Sequence, residues 1–376
     1  MVWTQPSCTF LVSILFLLCA AFCSSQEESS GDDGRGRSLV YVNSPTNGRS
    51  KVIEGVLDKT AKYYLTTAIT TTVIPSLYIM VFTFGLAANG LALINLIINI
   101  QRMPSTIFLM NLATADLLLI LALPFKIHYH FQGNNWVFGE ALCRTVTAFF
   151  YGNMYCSVLL LTFISIDRYC ALVHPFYSKR FRDNRFAAAT CLVIWALVGL
   201  SVIPFLLQRQ VYPSKELNIT TCHDVLPEDI QHGYFFYYFV CLVVFEFLIP
   251  CLITIFCYVS VIKTLMAKSD KYIKAIRAII LVLVVYVVCF APSNIILLIH
   301  FSQFHLVGNN HLYLCYAICL VFSTLNSCID PFIYYYTSDE FRHSVRSIIS
   351  FRKEKRSEDS RKTIIRVDCT STSKTV

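Results

Sequence analysis

One arginine near the N-terminus has the surroundings of a protease cleavage site. The stretch DDGRGRSLVYVNS, residues 32–44, is acidic and contains glycine up to Arg37, and then turns hydrophobic. An unstructured segment of this kind can enter a protease cleft in extended form. A serine protease with a carboxylate in its specificity pocket would hold Arg37 by charge-assisted hydrogen bonds. Cleavage would create a new ammonium group on Ser38, the first residue of a peptide that continues with Leu39, Val40, Tyr41 and Val42.

Other interpretations of this stretch stay open. Arg37 could be an incidental tryptic site in a tail without structure, which is the commoner origin of such a pattern. Arg35 and Arg49 are competing cleavage sites. Cutting after Arg49 would remove residues 38–49 and destroy the new peptide.

Two carboxylates lie inside long apolar runs. Asp116 stands in NLATADLLLI and Asp330 in STLNSCIDPFIYYY. An ionisable residue inside a membrane is costly and marks a functional site by default. With the oxygens of Ser157, Asn326 and Asn89 at comparable depth, these carboxylates could bind a small hard cation such as Na⁺. The alternative is a hydrogen-bonded polar cluster that only fixes helix packing.

A charged triplet, Asp167-Arg168-Tyr169, ends the third apolar run. The adjacent carboxylate is expected to neutralise Arg168, and its release could expose a cation to a partner. The alternative is an ordinary interfacial arginine that extends its head to the lipid headgroups. Taken alone, the triplet does not decide between these interpretations.

The elements that position these residues are membrane-spanning helices. Of the 376 residues, 56% are hydrophobic and only 14% are charged, whereas soluble domains have about 25% charged residues. Apolar segments of about 20 residues cross a bilayer, and in lipid they must be helical because every backbone group needs an internal partner. We predict an all-α membrane protein with a seven-helix bundle, from apolar segments at residues 68–98, 105–130, 141–173, 186–207, 234–265, 273–301 and 310–336.

The distribution of basic residues predicts the orientation of the chain. Lys and Arg concentrate in alternate connections and after residue 340, whereas residues 131–140 and 302–309 are almost free of them. The positive-inside rule then places the N-terminus outside and the C-terminus in the cytoplasm. The net charge of +8 is therefore a topology signal and does not indicate a nucleic-acid partner.

The two ends of the chain have their own patterns. Residues 1–25 are expected to be a signal peptide, although a short signal anchor is an alternative because no basic residue precedes the apolar core. After the seventh segment, Phe341, Val345 and Ile348 share one face, which predicts an amphipathic helix over residues 337–351 on the inner leaflet of the membrane lipid. The basic, Ser/Thr-rich residues 352–376 are expected to be disordered.

Most of the 16 cysteines lie in apolar runs, where they are expected to pack as small hydrophobic residues. Cys143 and Cys222 differ, because both adjoin polar segments that are expected outside the cell, where the compartment favours disulfides. Asn218 opens the sequence Asn-Ile-Thr on an expected outer loop and is a candidate glycosylation site.

Several motifs resemble those of the rhodopsin-like (class A) G-protein-coupled receptors. GLAANG, NLATADLL, SIDRYCALVHP, CFAPSN and NSCIDPFIYYY occur in order, and the resemblance covers residues 68 to about 350. It implies a disulfide between Cys143 and Cys222, and G-protein coupling through Asp167, Arg168 and Tyr169. It also implies that the residues which change conformation on activation are Tyr258, Phe290, Pro292 and Tyr334.

The sequence departs from that pattern at two positions. Asp330 stands where the family has asparagine, and Tyr272 lies near the place of the acidic partner that the family offers to Arg168. The resemblance implies that Na⁺ would be an allosteric ion at Asp116, Ser157, Asn326 and Asp330. No other cofactor is expected.

A narrower resemblance is to the protease-activated receptors. It rests on LNITTCHDVLPEDI before the fifth segment, on QGNNW, on FFYGNMYCS and on STLNSCIDPF. In that family a protease cuts after an arginine, and the new N-terminus folds back as a tethered agonist. This implies cleavage between Arg37 and Ser38, although Val40, Tyr41 and Val42 depart from the expected agonist pattern.

The resemblance also implies a binding site and a division of the chain. Asp224 and Glu228 are expected to pair with the new ammonium, and the other pocket candidates are His223, Tyr155, His311, Tyr313 and Tyr316. The expected parts are a signal peptide (1–25), a propeptide (26–37), an extracellular tail that begins with the agonist (38–67), the bundle (68–336), the amphipathic helix (337–351) and the tail (352–376).

The expected partners follow from this interpretation. A trypsin-like protease is favoured over thrombin, because the cleavage site is not followed by the aromatic and acidic cluster that thrombin binds. Only the scattered acidic residues Glu54 and Asp58 follow it. A heterotrimeric G protein, of the q/11 class first, and arrestin are expected inside a plasma-membrane protein. A receptor for a diffusible peptide and an ion-coupled transporter remain the alternatives, whereas no set of residues suggests an enzyme.

Overall fold

The computed structural model describes residues 38–43, 53–57, 59–98, 104–175, 183–227, 235–267, 273–301 and 312–337. Within them, seven helices are long and apolar enough to cross a membrane, which confirms the predicted seven-helix bundle. The expected signal peptide, the propeptide with Arg37, residues 338–351 of the expected amphipathic helix and the C-terminal tail lie outside the described residues.

The seven spans end close to the positions expected from hydropathy. They are Ile69–Ile98, Pro104–Phe131, Gly139–Leu172, Asn184–Ser201 continued by Ile203–Leu207, Phe236–Met266, residues 273–301 and Leu312–Thr337. Hydropathy locates them well because lipid imposes one requirement, a helical run of apolar residues of sufficient length.

Three of these spans contain a π-helical turn, and each turn ends two residues before a proline. The turns are Ile69–Val73, Val243–Leu248 and Tyr286–Phe290, followed by Pro75, Pro250 and Pro292. A proline ring clashes with the carbonyl four residues earlier and donates no hydrogen bond. The residue at that spacing falls inside the turn in each case, so the wider turn accommodates the proline within a continuous span.

The outer surface of the bundle is apolar. Phe84, Leu91, Leu192 and Phe245 are all more than half exposed, with exposed fractions of 67%, 58%, 72% and 65%. In water such a surface would promote aggregation, whereas in a bilayer it faces lipid tails. The buried core runs along the third span, in which Tyr155, Val158 and Leu161 are fully enclosed.

Within the described residues, five short strands lie before the first span and between the fourth and fifth spans. The strand β1 is Ser38–Asn43, β2 is Ile53–Leu57, β3 is Val211–Ser214, β4 is Ile219–Cys222 and β5 is Leu226–Pro227. β3 and β4 form a hairpin, and a second sheet has the order β2-β1-β5. β1 pairs antiparallel with β2 from Leu39↔Leu57 to Asn43↔Ile53, and parallel with β5 at Ser38↔Leu226 and Leu39↔Pro227.

The segment before the first span therefore differs from the expected tail without secondary structure. It contains β1, β2 and a helix at Lys59–Thr66, which is tied to the β3–β4 turn by an ion pair of 3.3 Å between Lys62 and Glu216. The strands were not predictable from local periodicity, because part of their pairing is with the distant segment between the fourth and fifth spans.

Candidate functional site

A cavity opens among the first, second, third and seventh spans, beneath the β3–β4 hairpin. It contains about 710 Å³ of space between atoms, including its open mouth. Aromatic side chains form much of its wall, and a few polar groups converge on it, which is the usual character of a ligand site. Its lining includes Tyr78, Lys126, His130, Phe150, Tyr151, Asn153, Met154, His223, Asp224 and Tyr316.

The loop over this cavity is held in place by covalent and hydrogen bonds. Cys222, the last residue of β4, is disulfide-bonded to Cys143 near the N-terminal end of the third span, which confirms the expected bridge. The amide of Trp136 donates to the carbonyl of Thr220 at 2.7 Å. The loop between the second and third spans is thereby fixed to β4.

A carboxylate at the start of the third span fixes the other strand of the hairpin. Glu140 accepts hydrogen bonds from the backbone amides of Gln210 and Val211 at 2.7 and 3.0 Å, and Arg144 pairs with it at 2.6 Å. The entry to β3 is therefore as closely tied to the third span as β4 is. The sequence contains a signal for part of this arrangement, because Glu140 and Arg144 are four residues apart on one helix.

The residue after the disulfide turns the chain toward the cavity. His223 adopts a left-handed backbone with φ of +64°, which is uncommon for a residue with a side chain and often occurs at functional sites. The surrounding bonds compensate, because His223 Nδ1 lies 2.6 Å from Gln210 Oε1 and Nε2 lies 3.2 Å from the Tyr151 hydroxyl. Asp224 follows directly and lines the cavity.

Of the predicted pocket residues, the structure brings His223, Asp224 and Tyr316 together at the cavity. It places Tyr155 elsewhere, one helical turn deeper, where its hydroxyl donates to Asn294 Oδ1 at 3.3 Å. Tyr151 lines the cavity in place of Tyr155, and its hydroxyl is bonded to that of Tyr316. Glu228 and His311 lie outside the described residues, and Tyr313 belongs to the seventh span but its side chain is not described.

The predicted intramembrane carboxylates lie together below the cavity. Asp116 Oδ1 accepts from Ser327 Oγ at 2.8 Å and from Asn153 Nδ2 at 3.1 Å. Asn326 Nδ2 lies 3.5 Å from Asp330 Oδ2, and Ser157 Oγ lies 3.5 Å from Asn153 Nδ2. Asn153 is shared with the cavity lining, so the ligand site and the carboxylate cluster are in direct contact.

The donor set of this cluster fits a small hard cation. Asp116 Oδ2 and Asp330 Oδ1 are buried and have no hydrogen-bond partner. Two neighbouring carboxylates cannot both remain charged at such depth unless a cation or a shared proton compensates them. Asp116, Asp330, Ser157 and Asn326 offer oxygen atoms, as Na⁺ prefers, and within the described residues no group of three or more His, Cys, Asp or Glu side chains could hold a metal ion.

The charged triplet lies at the opposite end of the third span. Asp167 Oδ2 accepts a hydrogen bond of 2.6 Å from Ser105 Oγ, and the neutralisation of Arg168 by Asp167 stays a prediction. Tyr169 bonds to His174 Nε2 at 3.0 Å. Tyr258 and Phe290 are buried in the bundle core, whereas the side chain of Tyr334 is not described.

Asn218, the candidate glycosylation site, lies at the tip of the β3–β4 turn. Its side chain is exposed, and its backbone is left-handed with φ of +51°. That geometry suits a tight turn and leaves room for a glycan, and whether a glycan is attached stays a prediction.

The fold and the order of the sites define a class of protein. The sequence profile of the 7 transmembrane receptor (rhodopsin family) matches residues 88–334. This confirms the receptor interpretation and excludes the enzyme interpretation, since that family consists of G-protein-coupled receptors.

Comparison with individual proteins narrows the class. Proteinase-activated receptor 2 of Mus musculus is 41% identical over 361 residues, which cover 92% of this chain and 90% of the relative. Proteinase-activated receptor 3 of Homo sapiens is 45% identical over 75% of each chain. Proteinase-activated receptor 1 of Homo sapiens is 40% identical over 83% of this chain and 74% of the relative. The chain belongs to the proteinase-activated receptor family.

Proposed function

We propose that a trypsin-like serine protease cuts this receptor after Arg37, and that the new N-terminus at Ser38 is its tethered agonist. The observation that carries the proposal is the pairing of β1 with β5. Ser38 lies opposite Leu226, two residues after Asp224 in the chain. The segment that would begin at the new N-terminus thus already lies beside the loop that lines the cavity.

The chemistry of the cavity suits that agonist. Cleavage converts the amide nitrogen of Ser38 into an ammonium, and Asp224 supplies a carboxylate at the cavity wall. Tyr78, Phe150 and Tyr151 offer aromatic surface to Leu39 and Tyr41. Lys126 also lines the cavity and favours a ligand in which the positive charge is confined to one end.

The tether removes the need for high intrinsic affinity. Roughly thirty residues separate Ser38 from the first span, and a linker of that length gives an effective concentration of order mM. A peptide that binds weakly when free would therefore saturate the site when attached. This expectation distinguishes a tethered agonist from a diffusible one, which must bind at much lower concentration.

Several further parts of the proposal concern the inner half of the receptor. Orientation with the N-terminus outside and the C-terminus inside would expose Arg168 to a G protein, with the q/11 class as the first candidate. The Ser/Thr-rich tail would recruit arrestin after phosphorylation. Na⁺ would be held by Asp116, Asp330, Ser157 and Asn326, together with Asn153, where its charge would neutralise the two carboxylates.

The experiment measures intracellular calcium in cells that express the full chain, with trypsin or the free peptide Ser-Leu-Val-Tyr-Val-Asn as stimulus. Arg37→Ala is expected to abolish the trypsin response and to keep the peptide response, whereas the matched control Arg35→Ala keeps both. A trypsin response that survives in Arg37→Ala moves the cut to another arginine. If the free peptide releases no calcium although the receptor is present at the cell surface, the assignment of the agonist to the segment that begins at Ser38 is contradicted.

A further inference from the structure

Besides Asp116 and Asp330, a further carboxylate lies deep inside a membrane span. Glu246 belongs to the π-helical turn Val243–Leu248 of the fifth span. That span begins at Phe236, so at a rise of 1.5 Å per residue Glu246 lies about 15 Å along it. An ionisable group at such depth is costly and marks a functional site by default.

The interiors of the third to sixth spans contain no basic side chain that could pair with Glu246. The sequence has no Lys, Arg or His at residues 145–167, 186–207, 236–262 or 279–299. Among the described residues, Oε2 of Glu246 is buried and has no hydrogen-bond partner. A buried charge without a counter-charge is strongly unfavourable, and such a group neutralises instead. The empty site therefore favours the uncharged carboxylic acid.

Glu246 lies at the seam between the fifth span and the fourth. Its carboxyl group is hydrogen-bonded to the side chain of Ser201 in the fourth span, and the Ser201 hydroxyl donates to the carbonyl of Val198 at 2.9 Å. In the acid form Glu246 can donate its proton to Ser201 Oγ, so that no donor is left without an acceptor. Oε2 remains as an acceptor that a ligand can use.

The seam is accessible from the bilayer. Glu246 is partly exposed, and the neighbouring Phe245 and Ile249 are 65% and 42% exposed. Glu246 is not among the residues that line the ligand cavity. The third-span side chains within its electrostatic range, Tyr155 and Cys156, are fully buried. A ligand of Glu246 would therefore arrive through the hydrocarbon and not through the cavity.

We propose that Glu246 anchors a binding site for lipophilic amines, which enter from the bilayer between the fourth and fifth spans. A neutral amine with apolar substituents dissolves in hydrocarbon and can reach the seam. There the O–H bond of Glu246 breaks, its proton forms an N–H bond with the lone pair of the amine nitrogen, and a carboxylate–ammonium pair remains. The ammonium donates to Oε2, and the apolar substituents lie against Phe245 and Ile249.

The chemistry of the seam selects amines over the other amphiphiles of a membrane. A fatty acid or a phospholipid has an anionic group, which a carboxylate repels. An alcohol donates only a neutral hydrogen bond, which is weaker than a charge-assisted one. Because the acid and the amine meet as neutral molecules, no charge has to leave water. Once Glu246 has lost its proton, the Ser201 hydroxyl can turn from Val198 and donate to the carboxylate.

The experiment uses the full, uncleaved chain in lipid nanodiscs, so its result does not depend on cleavage after Arg37. Carbodiimides modify protonated carboxyl groups, and dicyclohexylcarbodiimide partitions into hydrocarbon, whereas a cationic water-soluble carbodiimide does not. Mass spectrometry of the peptides is expected to find the hydrophobic reagent on Glu246. The water-soluble reagent should modify Glu216, an exposed carboxylate of the β3–β4 turn, and leave Glu246 unmodified.

The ligand probe is N,N-dimethyldodecylamine, and dodecanol, which has the same chain and no nitrogen, is its matched control. At an amine concentration about ten times its dissociation constant, modification of Glu246 should be about tenfold slower, because most sites are then occupied. Dodecanol at the same concentration should leave the rate unchanged. Modification of Glu216 by the water-soluble reagent should be unaffected by either molecule.

Glu246→Gln is the matched variant, because the amide keeps the size of the acid and its ability to bond to Ser201 but has no proton to transfer. The amine should raise the thermal unfolding temperature of the parent receptor, since it binds the folded state. The unfolding temperature of Glu246→Gln should not change when the amine is added.

Three results would overturn the proposal. One is the absence of the hydrophobic reagent from Glu246, which would mean that the seam is closed to the bilayer or holds no acid. Another is equal protection by dodecanol, which would reduce the site to apolar contact. The third is the same rise in unfolding temperature for Glu246→Gln as for its parent. If that variant does not fold, the protection of Glu246 in the parent receptor decides.

Discussion

The Arg37–Ser38 bond should be cut slowly until β1 leaves its sheet. Ser38 and Leu39 follow the bond directly, and Leu39 lies opposite Leu57 on one edge and opposite Pro227 on the other. A protease cleft must form its own contacts with the extended backbone of its substrate, and a strand that is paired on both edges has no free edge to offer. Cleavage should therefore occur from an opened state, at a rate set by the population of that state when opening is fast.

A pair of proline variants in β2 tests this reasoning and contains its own control. Consecutive pairs in an antiparallel ladder alternate between hydrogen-bonded and non-hydrogen-bonded geometry. Gly55 lies opposite Tyr41 and Val56 lies opposite Val40, so only one of the two amides donates to β1. Because β2 is at the edge of the described sheet, the other amide points away from it.

The magnitude follows from one lost ladder bond. A backbone hydrogen bond contributes about 1 kcal/mol net, and the proline ring weakens the pairing further at that position. The opened population, and with it the cleavage rate, should rise about fivefold in one proline variant and change little in the other. The assay is loss of an N-terminal epitope from purified receptor under limiting trypsin, with N-terminal sequencing to confirm a product that begins at Ser38. Equal rates in both variants and the parent would refute the claim that pairing with β2 limits access.

Two more predictions concern the ligand cavity and the cluster below it. Asp224→Asn should raise the concentration of free peptide needed for half-maximal calcium release by about tenfold or more, because a charge-assisted bond contributes about 1.5–3 kcal/mol. Glu216→Gln, which alters an exposed carboxylate of the same loop, should leave it unchanged, and equal shifts in both would indicate only long-range charge. Replacing Na⁺ by a large organic cation should raise peptide affinity in the parent receptor if the ion stabilises the unliganded state, and Asp330→Asn should abolish that sensitivity. Persistence of the Na⁺ effect in Asp330→Asn, measured by competition binding, would remove the cation from this cluster.

The sequence predicts the spans far better than it predicts the cavity. Each apolar run must be a helix in lipid, so local composition is sufficient to locate it. Which residues of a helix face a ligand depends on depth as well as on the face. Tyr151 and Tyr155 are four residues apart and share one face of the third span, but a rise of 1.5 Å per residue puts them about 6 Å apart along it. Only the upper residue reaches the cavity.

Residues with neutral polar side chains were harder still to identify. Asn153 and Ser327 both bond to Asp116, but amides and hydroxyls in membrane helices are common and most serve packing. The signal that could have found Asn153 is its spacing of four residues from Ser157, a predicted member of the cluster. The pairing of β1 could not have been found locally, since it depends on a contact with Leu226.

The third span acts as the fixed frame on which the ligand site and the inner face are built. It is anchored at its N-terminal end by the disulfide of Cys143 and by Glu140, so a bound agonist would displace the neighbouring spans more easily than the third span itself. Hydrogen bonds connect cavity residues of the third span to two neighbouring spans. Asn153 connects through Asp116 to Ser327 of the seventh span, and Met154 Sδ lies 3.7 Å from Ser293 Oγ of the sixth.

Those two contacts imply different consequences for an agonist. An agonist that displaces the Asn153 side chain would change the arrangement of the carboxylates, and so the affinity for a cation. An agonist that displaces Met154 would also move Ser293. The Ser293 hydroxyl donates to the carbonyl of Phe290 at 2.9 Å, in the π-helical turn Tyr286–Phe290. Coupling between sites requires an element with two arrangements that both sites influence. The contact of Met154 with Ser293 makes the sixth span a candidate for that element, because Ser293 bonds to Phe290 in the π-helical turn.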